Sequence, residues 1–137
     1  MNKIKYSQDL MKFMSIFETI TQTKLKDCIQ DDYLIFIVQE NQIAKAIGRN
    51  GNNVRQLQNI LKKKIKIVEF NPDLLIFTKN LISPLKAKDI KIDENVIIIQ
   101  GIDTKTKGLL IGRNAKNLRE YESIVKRYFP IKEIKVV

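Results

Sequence analysis

Two stretches decide the fold, IGRNGNNVR at Ile47–Arg55 and IGRNAKNLR at Ile111–Arg119. They lie 64 residues apart (111 − 47 = 64), and one of their differences sets Gly51 against Ala115. In Gly48-Arg49-Asn50-Gly51 the two glycines let the chain reverse tightly and present bare backbone. An amphipathic helix follows at once. Its unpaired N–H groups and positive dipole end therefore face outward, an arrangement suited to phosphate. Arg49 adds a charge-assisted donor and Asn50 a neutral one. Lys45, Arg55, Lys62 and Lys63 extend the positive field, and no Asp or Glu interrupts residues 41–66. One such loop alone reads as a plain helix–turn–helix connection. Its recurrence as Gly112-Arg113-Asn114-Ala115, followed by Lys116 and Arg119, points to a repeated anion-binding device. Ala115 is expected to be right-handed, as the first residue of the helix that Lys116 continues. The run Lys62-Lys63-Lys64 taken alone reads as a solvated helix end.

Outward from the loops, the two halves repeat one order of elements. In the first, Ser7 caps a helix with an apolar stripe at Leu10, Phe13, Met14, Phe17 and Ile20. KLKDCI (24–29) reads as a strand, Asp31-Asp32 as a turn, and YLIFIV (33–38) as a strand buried on both faces. Asn41 is the expected cap of a short helix ending at Ile47. Beyond the loop, Val54, Leu57, Ile60 and Leu61 point inward, and KIKIVEF (64–70) is a third strand. The second half opens with Asn71 as cap and Pro72 at the first helical position. Strands at 87–92 and 95–100 flank a turn at Asp93-Glu94. A short helix, the loop, a helix carrying Leu118, Tyr121, Ile124 and Val125, and a last strand follow. The pattern predicts an α+β chain of two units, 1–70 and 71–137, each α-β-β-α-α-β, with small three-stranded mixed sheets packed against helices.

Composition limits the function. A chain of 137 residues with 44% hydrophobic residues can fill a core. Its 25 Lys and Arg against 15 Asp and Glu give a net charge of +10, which favours a polyanion: nucleic acid first, an anionic membrane surface second. The charge divides evenly, 12 against 7 in residues 1–70 and 13 against 8 in residues 71–137, so each half is +5. Cys28 is the only cysteine and the chain has no histidine. An intramolecular disulfide and a zinc site are thereby excluded, and a reducing, cytoplasmic setting is expected. The amino terminus has no signal-peptide run, and the longest apolar runs are too short to span a membrane. A metal nuclease would need convergent carboxylates. The acidic pairs Asp31-Asp32 and Asp93-Glu94 instead fall at equivalent turns, so no catalytic residue, metal, cofactor or small-molecule substrate is expected.

A G-x-x-G loop between two helices, with a strand after it, resembles the K-homology (KH) RNA-binding domain, and the α-β-β-α-α-β order is similar to its type II form. Two such units in succession resemble the archaeal NusA-like transcription factors, on AKAIGRNGNNVRQLQNILKKKIKIVEFNPD, LISPLKAKDIKI and KGLLIGRNAKNLRE. The resemblance implies single-stranded RNA as partner, with about four nucleotides clamped per loop. It implies that Gly48, Arg49, Asn50 and Gly51, and then Gly112, Arg113, Asn114 and Ala115, contact the RNA backbone; Lys45 and Arg55, and Lys116 and Arg119, are expected beside them as RNA-binding residues. The base groove would run beside the strands at 33–38 and 96–100. The implied role is transcription termination or antitermination, with RNA polymerase or other transcription factors as further partners. A role in ribosome assembly or RNA maturation is the alternative.

Overall fold

The computed structural model describes residues 7–137. The amino-terminal segment read above for a signal peptide, residues 1–13, lies in part, at residues 1–6, outside the described residues. Contacts divide the chain into Met1–Phe70 and Asn71–Val137.

In the first unit, helix α1 (Gln8–Thr21) starts where Ser7 accepts the Leu10 N–H at 3.1 Å. Strands β1 (Leu25–Gln30) and β2 (Leu34–Val38) follow, then helices α2 (Ile43–Ile47) and α3 (Asn52–Leu61), then strand β3 (Ile65–Glu69). The sheet order is β1-β2-β3. Strand β2 is antiparallel to β1 and parallel to β3, with Leu34 opposite Ile65 and Phe36 opposite Ile67. All five residues of β2 are buried, as its unbroken apolar run requires. Phe17 of α1 stacks on Phe36 of β2 with centroids 4.3 Å apart, and Leu34, Val38, Ala46, Leu57, Leu61 and Ile65 close the core around them. The α1 stripe packs here as its spacing predicts.

The second unit repeats the order. Helix α4 (Leu74–Ile82), strands β4 (Ala87–Asp93) and β5 (Val96–Gly101), helices α5 (Thr104–Ile111) and α6 (Lys116–Lys126) and strand β6 (Glu133–Val136) form it. Its sheet order is β4-β5-β6, again antiparallel then parallel. Even the irregularity in the first strand pair recurs, between Leu25 and Asp27 and between Ala87 and Asp89. The expected α+β class, with two three-stranded mixed sheets packed on helices, is what the chain adopts.

Four local expectations need correction. Asp73, two residues after Asn71, caps α4. Its carboxylate accepts the Leu75 and Ile76 N–H groups at 2.9 and 3.3 Å, while Asn71 Oδ1 accepts the Asp73 N–H at 2.8 Å and shapes the approach. Asn41 does not cap α2. It is left-handed (φ 63°), and Gln42 precedes the helix with no side-chain cap bond. The β4–β5 turn sits one residue later than expected, on Glu94 and Asn95, because both central residues need positive φ and asparagine tolerates it. Ile60 is 51% exposed. The buried face of α3 runs through Leu57 and Leu61, and Ile60 lies about 100° around the helix from Leu61.

Candidate nucleic-acid interface

Each loop turns on one residue that has to be glycine. Gly48 has φ 79° and ψ 171°, and Gly112 has φ 76° and ψ 173°. This is the region that essentially only glycine occupies. A Cβ on Gly48 would also meet Asn53 Cγ at 2.8 Å, and one on Gly112 would meet Asn117 Cγ at 2.7 Å. Those asparagines brace the loops. Asn53 Nδ2 donates to the Lys45 carbonyl at 3.1 Å, and Asn117 Nδ2 donates to the Leu109 carbonyl at 2.9 Å. Each bond ties the helix after the loop to the end of the helix before it. Asn53 and Asn117 recur at the same offset of 64, and that recurrence is the signal in the sequence that marks them.

The loop tip is also built alike. Gly51 N–H donates to the Gly48 carbonyl at 3.1 Å, and Ala115 N–H to the Gly112 carbonyl at 3.2 Å. Asn50 (φ 54°, ψ 29°) and Asn114 (φ 55°, ψ 33°) are left-handed. The next residue is left-handed as well: Gly51 at φ 73°, ψ 19° and Ala115 at φ 61°, ψ 23°. The right-handed expectation for Ala115 is therefore wrong. The closing bond to Gly112 fixes the turn, and right-handed geometry begins only at Lys116. No side chain caps the start of α3 or α6; the first N–H of each helix, on Asn52 and Lys116, donates to the Arg49 or Arg113 carbonyl of its own loop.

Around the first loop Lys45, Arg49, Asn50 and Arg55 are exposed, and Gly48 and Gly51 are half-buried beneath them. Around the second, Arg113, Asn114, Lys116 and Arg119 are exposed, with Gly112 and Ala115 half-buried. The structure thus gathers the expected residues at two loops, but it treats the paired arginines differently. Arg55 folds back and donates from Nη1 to the Asn50 carbonyl. Arg119 turns to Glu122, with Nη1 at 3.1 Å from Oε2. Glu122 also draws Lys126 Nζ to 3.7 Å and accepts the Ile134 N–H at 3.0 Å. Its counterpart in the first unit (122 − 64 = 58) is the uncharged Gln58. Residues 41–66 hold seven basic and no acidic residues, whereas the matching residues 105–130 hold seven basic and two acidic, Glu120 and Glu122. The first loop has the stronger positive field.

The strands beside the two loops differ in exposure. Strand β2 is the central strand and its side chains are all buried, so it offers none to a ligand. Helix α2 packs against β3, one of the two edge strands. In the second unit β5 is partly open, with Gln100 exposed. Among the described residues no group of three or more His, Cys, Asp or Glu is placed to hold a metal ion. No helix among them is long and apolar enough to cross a membrane.

The model of the KH domain family matches residues 13–72. Over its whole length the chain is similar to proteins named "Probable transcription termination protein NusA". It is 31% identical to that of Methanococcus vannielii, over 96% of this chain and 78% of the other. Against the Thermoplasma acidophilum protein the identity is 29%, over 99% of this chain and 97% of the other. The Methanocaldococcus jannaschii protein is also 29% identical, over 100% and 77%. Among solved structures, the crystal structure of APE1850 matches with a TM-score of 0.74 at 27% identity, covering 96% of this chain and 100% of that one.

Proposed function

Since the chain belongs to the family of NusA-like transcription termination proteins, and is an RNA-binding factor of that family, we propose that it binds single-stranded RNA through a KH unit in each half and acts in the cytoplasm in transcription termination or antitermination. The observation that carries this reading is the repeated loop, with the same glycine conformation, the same asparagine brace and an exposed arginine at the same place. It supports extending the KH assignment from residues 13–72 to the second unit. Each loop would receive the sugar–phosphate backbone against its tip and on Arg49 or Arg113. RNA polymerase or another transcription factor would be reached through the transcript or by direct contact. The reading is of a binding factor; with no histidine in the chain, acid–base chemistry has few candidates.

Fluorescence anisotropy with labelled single-stranded and duplex RNA over a range of salt tests it. Single strands should bind more tightly. With about 4–8 phosphate contacts, log affinity should fall against log salt with a slope of about −3 to −6. A preference for duplex, or binding indifferent to salt, overturns the reading.

A further inference from the structure

At the far end of α3 from its loop, a surface depression is lined by Tyr33, Gln58, Lys62, Lys63, Lys64 and Ile65. Tyr33 is 45% exposed although it adjoins the fully buried β2. Lys62 ends α3 in a left-handed conformation (φ 57°), which turns the lysine run sharply at the edge of the depression. Lys63 reaches over the Phe13 ring at 5.8 Å, and Lys62 and Lys64 are exposed cations of the lining. The lining holds no carboxylate. Asp31 and Asp32 precede Tyr33 in the same turn, are exposed, and are not among the residues that line the depression.

The second unit serves as an internal control. There Glu122 stands for Gln58 and captures both Arg119 and Lys126, the counterpart of Lys62. Lys64 directly precedes Ile65, whose place in the second sheet Ile134 takes, so Glu133 stands there, with Lys135 Nζ 3.7 Å from its carboxylate. With the strand irregularities matched, the pairing register puts Val96 where the first unit has Tyr33. The same surface in the second unit thus has neither the open aromatic ring nor the uncommitted lysine.

We propose that this depression is a second RNA contact confined to the first unit, resting on the RNA-binding reading above: the Tyr33 ring takes the face of a base, and Lys62 and Lys64 hold the phosphates that flank it. Gln58 is the residue that permits it, because it is neutral. Helix α3 has ten residues, so the depression lies about 15 Å along the helix from the loop. An RNA that fills the loop with about four nucleotides needs additional nucleotides to reach it.

The test compares RNAs of about four nucleotides with RNAs of about eight or more on the full chain. Tyr33→Ala should weaken the longer RNA by roughly fivefold to a hundredfold and leave the shorter unchanged, and Tyr33→Phe should restore binding because the ring face remains. Gln58→Glu should also weaken only the longer RNA, by pairing Lys62. Lys62→Gln with Lys64→Gln should make the salt slope for the longer RNA shallower by about 1.4. Circular dichroism establishes that each variant is folded. Wild-type affinity of the folded variants at every length overturns the proposal, as does an equal loss at every length, which would mark a general field effect. Competition of an acidic peptide with the wild type, without any length-dependent RNA effect, overturns it in favour of a protein partner. Failure of the wild type to bind any single-stranded RNA overturns the broader reading and this proposal with it.

Discussion

Gly48 and Gly51 sit three residues apart and are held to different rules. The first occupies backbone space closed to other residues and has Asn53 against the place a Cβ would take. The second is merely left-handed, with Arg55 Nη1 at 3.5 Å from a built Cβ. Left-handed geometry costs an L-residue on the order of 1–2 kcal/mol, which a folded unit can bear. That explains how Ala115 stands where Gly51 does. Ala115→Gly should therefore stabilise the second unit by about 0.5–1 kcal/mol, read as a raised urea midpoint. Gly48→Ala should destabilise the first unit by about 1–3 kcal/mol and reduce RNA affinity through a displaced loop. The repeated glycine was legible in the sequence because matched spacing reveals it. The sign of φ at position 115 was not, because alanine suits a helix start in isolation and only the bond to Gly112 overrides that preference.

Helix termini separate the two units further. The helix leading into the first loop has no side-chain cap. The one leading into the second is capped by Asp103, whose Oδ1 accepts the Thr106 N–H at 2.7 Å. That backbone bond, joined by the Thr106 hydroxyl and the nearby charge of Lys105, holds the Asp103 carboxyl below its ordinary 3.8, against a small opposing effect of burial. A carboxylate depressed on folding stabilises fully above its unfolded value and loses that contribution as pH falls through its lower folded value. Exchange protection of the Thr106 amide should accordingly decline below about pH 4, and Asp103→Asn, which keeps an acceptor, should remove this dependence. Nuclear magnetic resonance across an acid titration reads both. Periodicity made α1 and the buried β2 legible in advance. It misplaced Ile60, since the width of a buried face depends on what packs there, and it misplaced the α4 cap, since Asn71 and Asp73 both suit the role on chemistry alone.

Over the whole chain, a net charge of +10 shared as +5 and +5 conceals unequal loops. Arg49 to Asp with Asn50 to Asp should lower RNA affinity more than Arg113 to Asp with Asn114 to Asp, because Glu120 and Glu122 already temper the second field. Equal losses in titrations of the two folded double variants would refute that ranking. The twofold design was legible because the loop, the helix stripe and the order of elements recur together. The division of labour was not, because it turns on Gln58 against Glu122, a difference that gains meaning only when Arg119, Lys126 and the Ile134 N–H are seen to converge on one carboxylate.

The alanine at position 115 also bears on how the molecule ages. Asparagine followed by glycine is the pair most open to deamidation, because the glycine nitrogen can attack the side-chain amide with no methyl group in the way. Asn50-Gly51 is such a pair, exposed at the tip, and Asn114-Ala115 is shielded by its methyl. On prolonged warm storage the first loop should gain a carboxylate where phosphate is expected, while the second stays intact. Peptide mapping by mass spectrometry should find the lesion at Asn50 and not at Asn114, with loss of RNA affinity following its accumulation. The strained methyl group would then give the chain one loop that keeps its chemistry with time.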